Sequence, residues 1–320
     1  MTRRGLLRIG LASAAALNAA PPRQLVLMDQ DGGFPDDYLA TALLLTMDAV
    51  ETIGVVVTPA DCYLEPAVSA TRKILRLMRR EDVPLGASRI EGAHPFPAEW
   101  RKGSYTMDRL PVLNGRNPIR SVMPSEAGPQ FTARLLRAAA APVTLLVTGP
   151  LSTLAAALQI APEIESKIRE IVWMGGALNV PGNVAPAMQS EWNAYWDPPA
   201  AGRIWRSRIP IVLCPLDITN HVPVTRQFIE RLRAQSRFPV SRLASEAYGK
   251  VLGDGSLFFW DLLTTAYIGR PEMFQLREWE TVIVTESGRT KLQAGGRRIR
   301  ALDRVDVDQF YDYLLNQWAR

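Results

Sequence analysis

The stretch from Leu25 to Asp37 constrains the fold of this chain more than any other. It begins with an apolar run, which is typical of a parallel strand buried on both faces. Four carboxylates follow at Asp29, Asp31, Asp36 and Asp37, and a Gly32-Gly33 turn separates the two pairs. Close like charges cost free energy unless they bind a cation, share a proton or reach solvent. The cluster therefore predicts a divalent metal site at the carboxyl end of a strand, where open α/β sheets bind their ligands.

The rest of the chain alternates strand-like and helix-like segments, which is the pattern of a mostly parallel sheet with helices on both faces. The chain has 320 residues, of which 47% are hydrophobic, enough to build one large core. We therefore predict a single α/β domain over residues 21–320, with an open, mostly parallel, Rossmann-like sheet. The periodicity fails from Glu91 to Pro129, and long irregular loops of this kind are often functional.

The N-terminus resembles a twin-arginine export signal. Arg3-Arg4 is followed by the small apolar run Ile9 to Ala20, which is too short to span a bilayer. We expect residues 1–20 to be removed and the mature protein to work in the periplasm or outside the cell, with no membrane attachment afterwards. The alternative is a disordered basic tail.

Charge and cysteine content exclude several classes of function. The net charge of +5 comes from scattered arginines without a nucleic-acid motif, so we expect no nucleic-acid partner. Cys62 and Cys214 each lie beside apolar residues, which predicts two buried free thiols. With His94 and His221 as the only histidines, a zinc site would lack its usual ligands.

Calcium fits the acidic residues better, because hard cations take carboxylate and carbonyl oxygens. Asp31 and Asp37 offer carboxylates, and Asp261 adds another from a distant part of the chain. The alternative for a single aspartate at a helix start is an N-cap, which would account for Asp36 or Asp197 but not for the whole cluster.

A second polar group, Gly182-Asn183 with Glu191-Trp192-Asn193, has side chains that each can hold a sugar hydroxyl next to an aromatic ring. A solvated loop with local Asx turns is the equal alternative.

Seven segments in this order resemble the inosine-uridine preferring nucleoside hydrolases, and the resemblance covers nearly the whole chain after the signal. They are Asp29-Gln30-Asp31 with Asp36-Asp37, Val147 to Leu151, Val172 to Gly176, Gly182-Asn183, Glu191 to Asn193 with Asp197-Pro198, Leu216 to Thr219, and Trp260-Asp261.

The resemblance implies an enzyme that hydrolyses the N-glycosidic bond of a small-molecule nucleoside with the help of Ca²⁺, and a dimer or tetramer. It implies that Asp36 deprotonates the attacking water and that Asp29 supports the metal ligands from behind. The implied calcium ligands are the carboxylates of Asp31, Asp37 and Asp261 and the backbone carbonyl of Thr148; the implied ribose ligands are Asn183, Glu191 and Asn193.

The sequence departs from the family pattern in four places, one of which is a wider spacing between Asn183 and Glu191. Trp260 stands where many relatives have histidine, and it would either stack on a purine or belong to the core. Asp61 stands where asparagine is usual near the ribose, which adds negative charge and would favour a cationic or differently substituted ligand. The turn between Asp31 and Asp36 is one residue longer than usual. His221 is a further candidate near the nucleobase, with a surface or core histidine as the alternative.

Two other functions stay open from the sequence. One is an exported nucleoside- or ribose-binding protein that has lost turnover, which the longer turn would favour. The other is a hydrolase of a different N- or O-glycoside.

Overall fold

A nine-stranded sheet runs through the centre of the computed structural model, which describes residues 22–115, 122–251 and 257–320. The predicted export signal lies outside these residues. The strand order is β3-β2-β1-β4-β5-β6-β9-β7-β8. The strands are β1 (Gln24–Gln30), β2 (Val50–Val57), β3 (Leu85–Ala87), β4 (Val143–Val147), β5 (Ile168–Met174), β6 (Ile211–Cys214), β7 (Phe274–Ile283), β8 (Thr290–Leu292) and β9 (Arg297–Val305).

The sheet is mostly parallel, as predicted. Every neighbouring pair from β3 across to β9 is parallel, and only β7 and β8 at one edge of the described sheet run antiparallel to their neighbours. The apolar residues of β1 pack on both faces of the sheet. Val26 and Met28 belong to the core on one side of the sheet, whereas Leu27 belongs to the core on the other.

Helices cover both faces of the sheet. On one side α1, α2 and α10 to α13 supply the larger core, and on the other side α5, α6 and α8 supply the smaller one. Within the described residues, no helix combines the length and apolarity needed to cross a membrane. The helices are α1 (Asp36–Leu44), α2 (Leu64–Leu77), α3 (Ala98–Arg101), α4 (Gly103–Asp108), α5 (Gly128–Ala138), α6 (Ser152–Ile160), α7 (Trp192–Trp196), α8 (Pro198–Trp205), α9 (Leu216–Thr219), α10 (Arg226–Ala234), α11 (Pro239–Val251), α12 (Asp261–Gly269) and α13 (Val307–Trp318).

The stretch that the sequence predicted to be irregular contains two short helices, α3 and α4. Neither is long enough to show a periodic pattern, and helices this short depend on tertiary packing. Met107 of α4 is fully buried in the larger core, and the Ser104 hydroxyl accepts a hydrogen bond from the backbone N–H of Tyr63 at 3.2 Å. The prediction of two buried free thiols is confirmed for Cys62 and Cys214.

The position of β1 determines where a ligand can bind. From β1 the sheet extends through β2 in one direction and through β4 in the other, so the helices that follow β1 and β4 leave a crevice at the carboxyl ends of the strands. Asp31 immediately follows β1, and Thr148 immediately follows β4.

Candidate functional site

A cavity of about 820 Å³ opens above this crevice. It brings together residues from the carboxyl ends of four strands and from the start of α12, which are far apart in the chain. The predicted site residues that line it are Asp31, Asp36, Asp37, Asp61, Thr148, Asn183, Glu191, Asn193, Trp260 and Asp261.

Asp31 and Asp37 lie side by side at the base of the cavity. Asp37 Oδ1 accepts a hydrogen bond from the Thr148 hydroxyl at 2.5 Å, and Oδ2 accepts one from the backbone N–H of Gly33 at 2.7 Å. Asp31 Oδ2 is buried and has no hydrogen-bond partner among the residues that the structure describes. Burial, together with the neighbouring Asp37, raises the pKa of Asp31 well above its usual value. Both carboxylates therefore lack the counter-charge that ionised buried groups need.

Asp36 makes a different set of contacts. Its Oδ2 accepts hydrogen bonds from the backbone N–H groups of Trp260, Asp261 and Leu262 at 2.9, 2.5 and 3.3 Å. Its Oδ1 faces the Tyr248 hydroxyl, which donates over 3.4 Å. Asp36 thus caps the N-terminus of α12 rather than its own helix, and this cap holds Asp261 next to the other acids. Burial raises the pKa of Asp36 to about 7, although the three N–H groups oppose the shift.

Asp29 lies behind the cavity rather than in its lining. Its Oδ1 accepts a hydrogen bond from the Thr58 hydroxyl at 2.7 Å, and its backbone carbonyl accepts one from the N–H of Thr148 at 2.9 Å. Burial raises the pKa of Asp29 to about 7. Asp29 therefore joins the ends of β1, β2 and β4 beneath the predicted ligands.

The three predicted ribose ligands are also tied into local structure. Glu191 caps α7: its carboxylate accepts from the backbone N–H groups of Asn193 and Ala194, and from that of Gly176 at 2.9 Å. Asn183 Oδ1 accepts from the N–H of Trp192 at 3.1 Å, nine residues along the chain, so this bond is not a local Asx turn. Asn193 Nδ2 donates to the Thr148 carbonyl at 2.9 Å. These contacts orient the side chains, and all three still line the cavity.

Asp61 lies close to the metal-ligand candidates. A Cβ added at Gly33 would be 3.1 Å from Asp61 Oδ2 and 3.2 Å from Asp37 Oδ2, so this glycine allows the two acids to approach. Although the residue as a whole is partly exposed, its Oδ1 is buried without a hydrogen-bond partner. Burial and the charge of Asp37 raise the pKa of Asp61 well above its usual value, and Arg101 opposes this only in part.

The upper walls of the cavity are aromatic. Trp260 lines the cavity, whereas the adjacent Phe259 is fully buried and packs against Phe228 and Phe310 in the core. Trp260 is partly buried, because it also packs against Met174, Ala177 and Leu216, but it is open to the cavity, and its stacking on a base stays a prediction. Four other aromatic residues line the cavity as well: Phe34, Phe96, Trp100 and Trp192.

Sequence reasoning did not single out Phe34, Phe96 and Trp100 as site residues. The available signal was the tryptophan in the long irregular stretch, because periodicity carries no information there.

His221 is exposed and outside the described cavity lining, since it belongs to the turn after α9, where its N–H donates to the Ile218 carbonyl. The structure thus places His221 at the surface, and its suggested approach to the nucleobase stays a prediction.

The donor set of the cavity fits a hard cation. No three His, Cys, Asp or Glu side chains within residues 22–115, 122–251 and 257–320 are arranged as a complete metal-binding group. The individual atoms nevertheless have the required chemistry. Asp31 Oδ2 is buried without a partner, Asp261 lines the same cavity, and the Thr148 carbonyl keeps a lone pair after accepting from Asn193.

Comparison with known proteins identifies the family. Residues 26–312 match the family model described as inosine-uridine preferring nucleoside hydrolase. The chain belongs to this family. The match covers the strands, the acidic cluster and α12, so the resemblance drawn from the sequence motifs is confirmed.

Individual nucleoside hydrolases agree with this assignment. The pyrimidine-specific ribonucleoside hydrolase RihA of Shewanella woodyi is 30% identical over 277 residues, which are 83% of this chain and 86% of the relative. The crystal structure of the inosine-uridine preferring nucleoside hydrolase from Bacillus anthracis superimposes with a TM-score of 0.88 at 35% identity, covering 92% of this chain and 99% of that one. The predicted fold and the predicted enzyme class, a hydrolase acting on N-glycosyl compounds, are therefore confirmed.

The family does not share one nucleobase preference. The purine-preferring ribonucleoside hydrolase from Gardnerella vaginalis has a TM-score of 0.77 at 23% identity over 92% of this chain and 98% of that one, which is a likeness of fold. A protein named for pyrimidines and one named for purines thus share the same architecture.

Proposed function

We propose that this nucleoside hydrolase cleaves ribonucleosides to free base and ribose in the described cavity, with the help of Ca²⁺. The observation that carries the proposal is the buried, unpartnered Asp31 Oδ2 beside Asp37 at the crevice between β1 and β4. A buried pair of acids without a cationic partner is costly to stability, and such sites are typical of metal binding or catalysis.

Calcium would be held by the carboxylates of Asp31, Asp37 and Asp261 and by the backbone carbonyl of Thr148. Oxygen donors of this kind suit Ca²⁺, which accepts irregular geometry. When bound, the ion supplies a positive charge that offsets the acids and coordination positions for water and ribose hydroxyls. Asp29 would hold the ends of the strands that carry these ligands, and its hydrogen bond from Thr58 supports this role.

Asp36 is the proposed base. The three backbone N–H groups of α12 fix its Oδ2, and the long contact from Tyr248 leaves Oδ1 able to take a proton from water. Burial raises the pKa of Asp36 to about 7 in the metal-free protein, and a calcium ion bound beside it would lower this pKa and keep Asp36 ionised, as a base must be. Asp31 is the alternative general base, because its Oδ2 has no hydrogen-bond partner among the described residues.

Asn183, Glu191 and Asn193 would hold the ribose. Cleavage of an N-glycosidic bond develops positive charge on the sugar ring, as in glycoside hydrolysis. Glu191, an acid fixed in place by local hydrogen bonds, would stabilise such charge without having to reorganise during the reaction. Trp260 would stack on the nucleobase, which is consistent with its place in an aromatic wall.

We also propose that residues 1–20 direct export by the twin-arginine route to the periplasm or beyond the cell, and that the enzyme forms a dimer or tetramer. N-terminal sequencing of the protein recovered from the periplasm and size-exclusion chromatography with light scattering test the two statements.

The deciding experiment is release of free ribose from inosine, uridine and nicotinamide riboside, with and without a chelator. We expect turnover that the chelator abolishes and that added Ca²⁺ restores. Binding without hydrolysis would favour a nucleoside-binding protein that has lost turnover. Hydrolysis of other glycosides but not of these nucleosides would favour a hydrolase of a different N- or O-glycoside.

The base is tested by comparing Asp36→Asn with Asp31→Asn. Loss of turnover in Asp36→Asn with unchanged Ca²⁺ affinity supports Asp36 as the base. Retained turnover would transfer that role to Asp31, whose replacement is expected to weaken Ca²⁺ binding as well.

A further inference from the structure

Most acids in the cavity have an identifiable partner. Asp36 and Glu191 accept hydrogen bonds from the N-termini of α12 and α7, where the helix dipole also stabilises negative charge. Glu99 pairs with Lys102 at 2.9 Å on the rim. On the proposed function, the remaining carboxylates of Asp31, Asp37 and Asp261 share the calcium ion.

Asp61 is the exception. It is not among the residues that the proposed function assigns to the metal, and its buried Oδ1 has no hydrogen-bond partner within residues 22–115, 122–251 and 257–320. Arg101 attracts it electrostatically but donates no hydrogen bond to its buried Oδ1. The Nε of Arg101 donates to the Cys62 carbonyl at 3.1 Å, and its guanidinium lies 4.7 Å from the ring centre of Tyr63. A bound calcium ion would lower the pKa values of the acids around it and favour their ionised forms. Three carboxylates and Asp61 then exceed the charge of one divalent ion, so the calcium-loaded cavity keeps a negative excess.

The other walls suit a flat cation. Five aromatic side chains line the cavity, and the faces of aromatic rings attract positive charge. The described lining has no histidine, tyrosine or cysteine that could hand a proton to a departing base. Lys102 is paired with Glu99, and Lys250, the other ammonium among the described lining residues, is exposed. A neutral nucleobase leaves as an anion unless it is protonated, whereas a base that is already cationic leaves as a neutral molecule.

Resting on the proposed function, we infer that this cavity prefers ribonucleosides whose base carries a permanent positive charge, such as N-ribosylpyridinium or N7-alkylated purine nucleosides, and that Asp61 sets this preference. In the reaction the water oxygen forms a bond to C1′ of the ribose. The bond from C1′ to the base nitrogen breaks, and its electron pair stays on that nitrogen, which becomes neutral. The proton of the water passes to the carboxylate of Asp36, the proposed general base, and then to solvent.

The test compares kcat/KM of the calcium-loaded wild type, Asp61→Asn and a control on four nucleosides. Nicotinamide riboside and 7-methylguanosine are cationic, whereas inosine and guanosine are neutral. Asn keeps the shape of the side chain and removes its charge. The control is Glu51→Gln, which removes an exposed acid near the opposite end of β2.

We expect Asp61→Asn to lower kcat/KM for the cationic nucleosides about tenfold, as for loss of one charge partly screened within the site, and to leave the neutral ones within about twofold. Glu51→Gln should change neither group. Cationic nucleosides are intrinsically more labile, so the ratio of variant to wild type decides, not the absolute rate. If Asp61→Asn lowers kcat/KM for only one of the two cationic nucleosides, the ring system of that nucleoside is the preferred one. An equal effect of Asp61→Asn on charged and neutral substrates would overturn the inference.

A second measurement needs neither turnover nor a folded variant. The cation 1-methylnicotinamide and neutral nicotinamide have nearly the same shape, and their binding to the wild type is followed by tryptophan fluorescence. We expect the cation to bind at least about tenfold more tightly, and equal binding would refute the charge preference. If no nucleoside is hydrolysed, the proposed function fails, while this pair still decides whether the cavity selects a cation.

Discussion

Replacing Asp36 separates two roles that the structure combines in one side chain. Its Oδ2 caps α12 through three backbone N–H groups, and its Oδ1 is the proposed proton acceptor. Asp36→Asn keeps a carbonyl oxygen that can cap the helix but cannot serve as a base. Asp36→Ala removes both functions, so the two variants differ only in the cap.

The structural cost follows from the hydrogen bonds. Loss of an N-cap costs about 0.5–2 kcal/mol, and hydrogen bonds to a charged group are worth about 1.5–3 kcal/mol. Because these N–H groups are buried, we expect Asp36→Ala to lower the free energy of unfolding by about 3 kcal/mol. Asn is as good a cap as Asp, so Asp36→Asn should cost less than about 1 kcal/mol.

The assay is urea unfolding followed by tryptophan fluorescence, combined with ribose release at saturating Ca²⁺. Both variants should lose about 10²–10⁴-fold in kcat, because a positioned base contributes that much. If Asp36→Ala and Asp36→Asn have the same stability, the capping argument is wrong. If Asp36→Asn keeps wild-type turnover, the base is another residue.

Three further outcomes can be measured on the same protein. Burial raises the pKa of Asp29 and Asp36 from 3.8 to about 7. After a chelator has removed the metal, the folded protein therefore binds protons at these two carboxylates more tightly than the unfolded chain does. Its stability should therefore fall as the pH rises from about 4 to about 7, and urea unfolding with a higher midpoint at pH 8 than at pH 5 would contradict this. Asp261→Ala should weaken Ca²⁺ binding at least about tenfold in a calcium titration, because one carboxylate ligand is lost. Gly149→Ala should also weaken Ca²⁺ binding, since the new Cβ would lie 2.6 Å from the Asp31 Cβ and displace this ligand; unchanged affinity would exclude Asp31 from the metal site.

The sequence alone determined the architecture and the position of the acidic cluster. A parallel strand covered on both faces needs an uninterrupted apolar run, and Leu25 to Met28 shows it directly. The acids that follow this run had to lie at the carboxyl edge of the sheet. Asp197 before two prolines predicted a helix start, and α8 begins there with the Asp197 carboxylate accepting from the N–H of Ala200 at 3.1 Å.

The tertiary structure alone decided how these acids are used. The cap that Asp36 provides for α12 joins residues more than two hundred positions apart, and such a contact leaves no local pattern. The same holds for Trp260 and Phe259, which are neighbours in the sequence but face the cavity and the core, respectively. Asp61 and Asp37 approach each other only because β1 and β2 are adjacent strands and Gly33 leaves room between them. Local sequence encodes which groups follow a strand, but distances between groups on different strands depend on the packing of the whole domain.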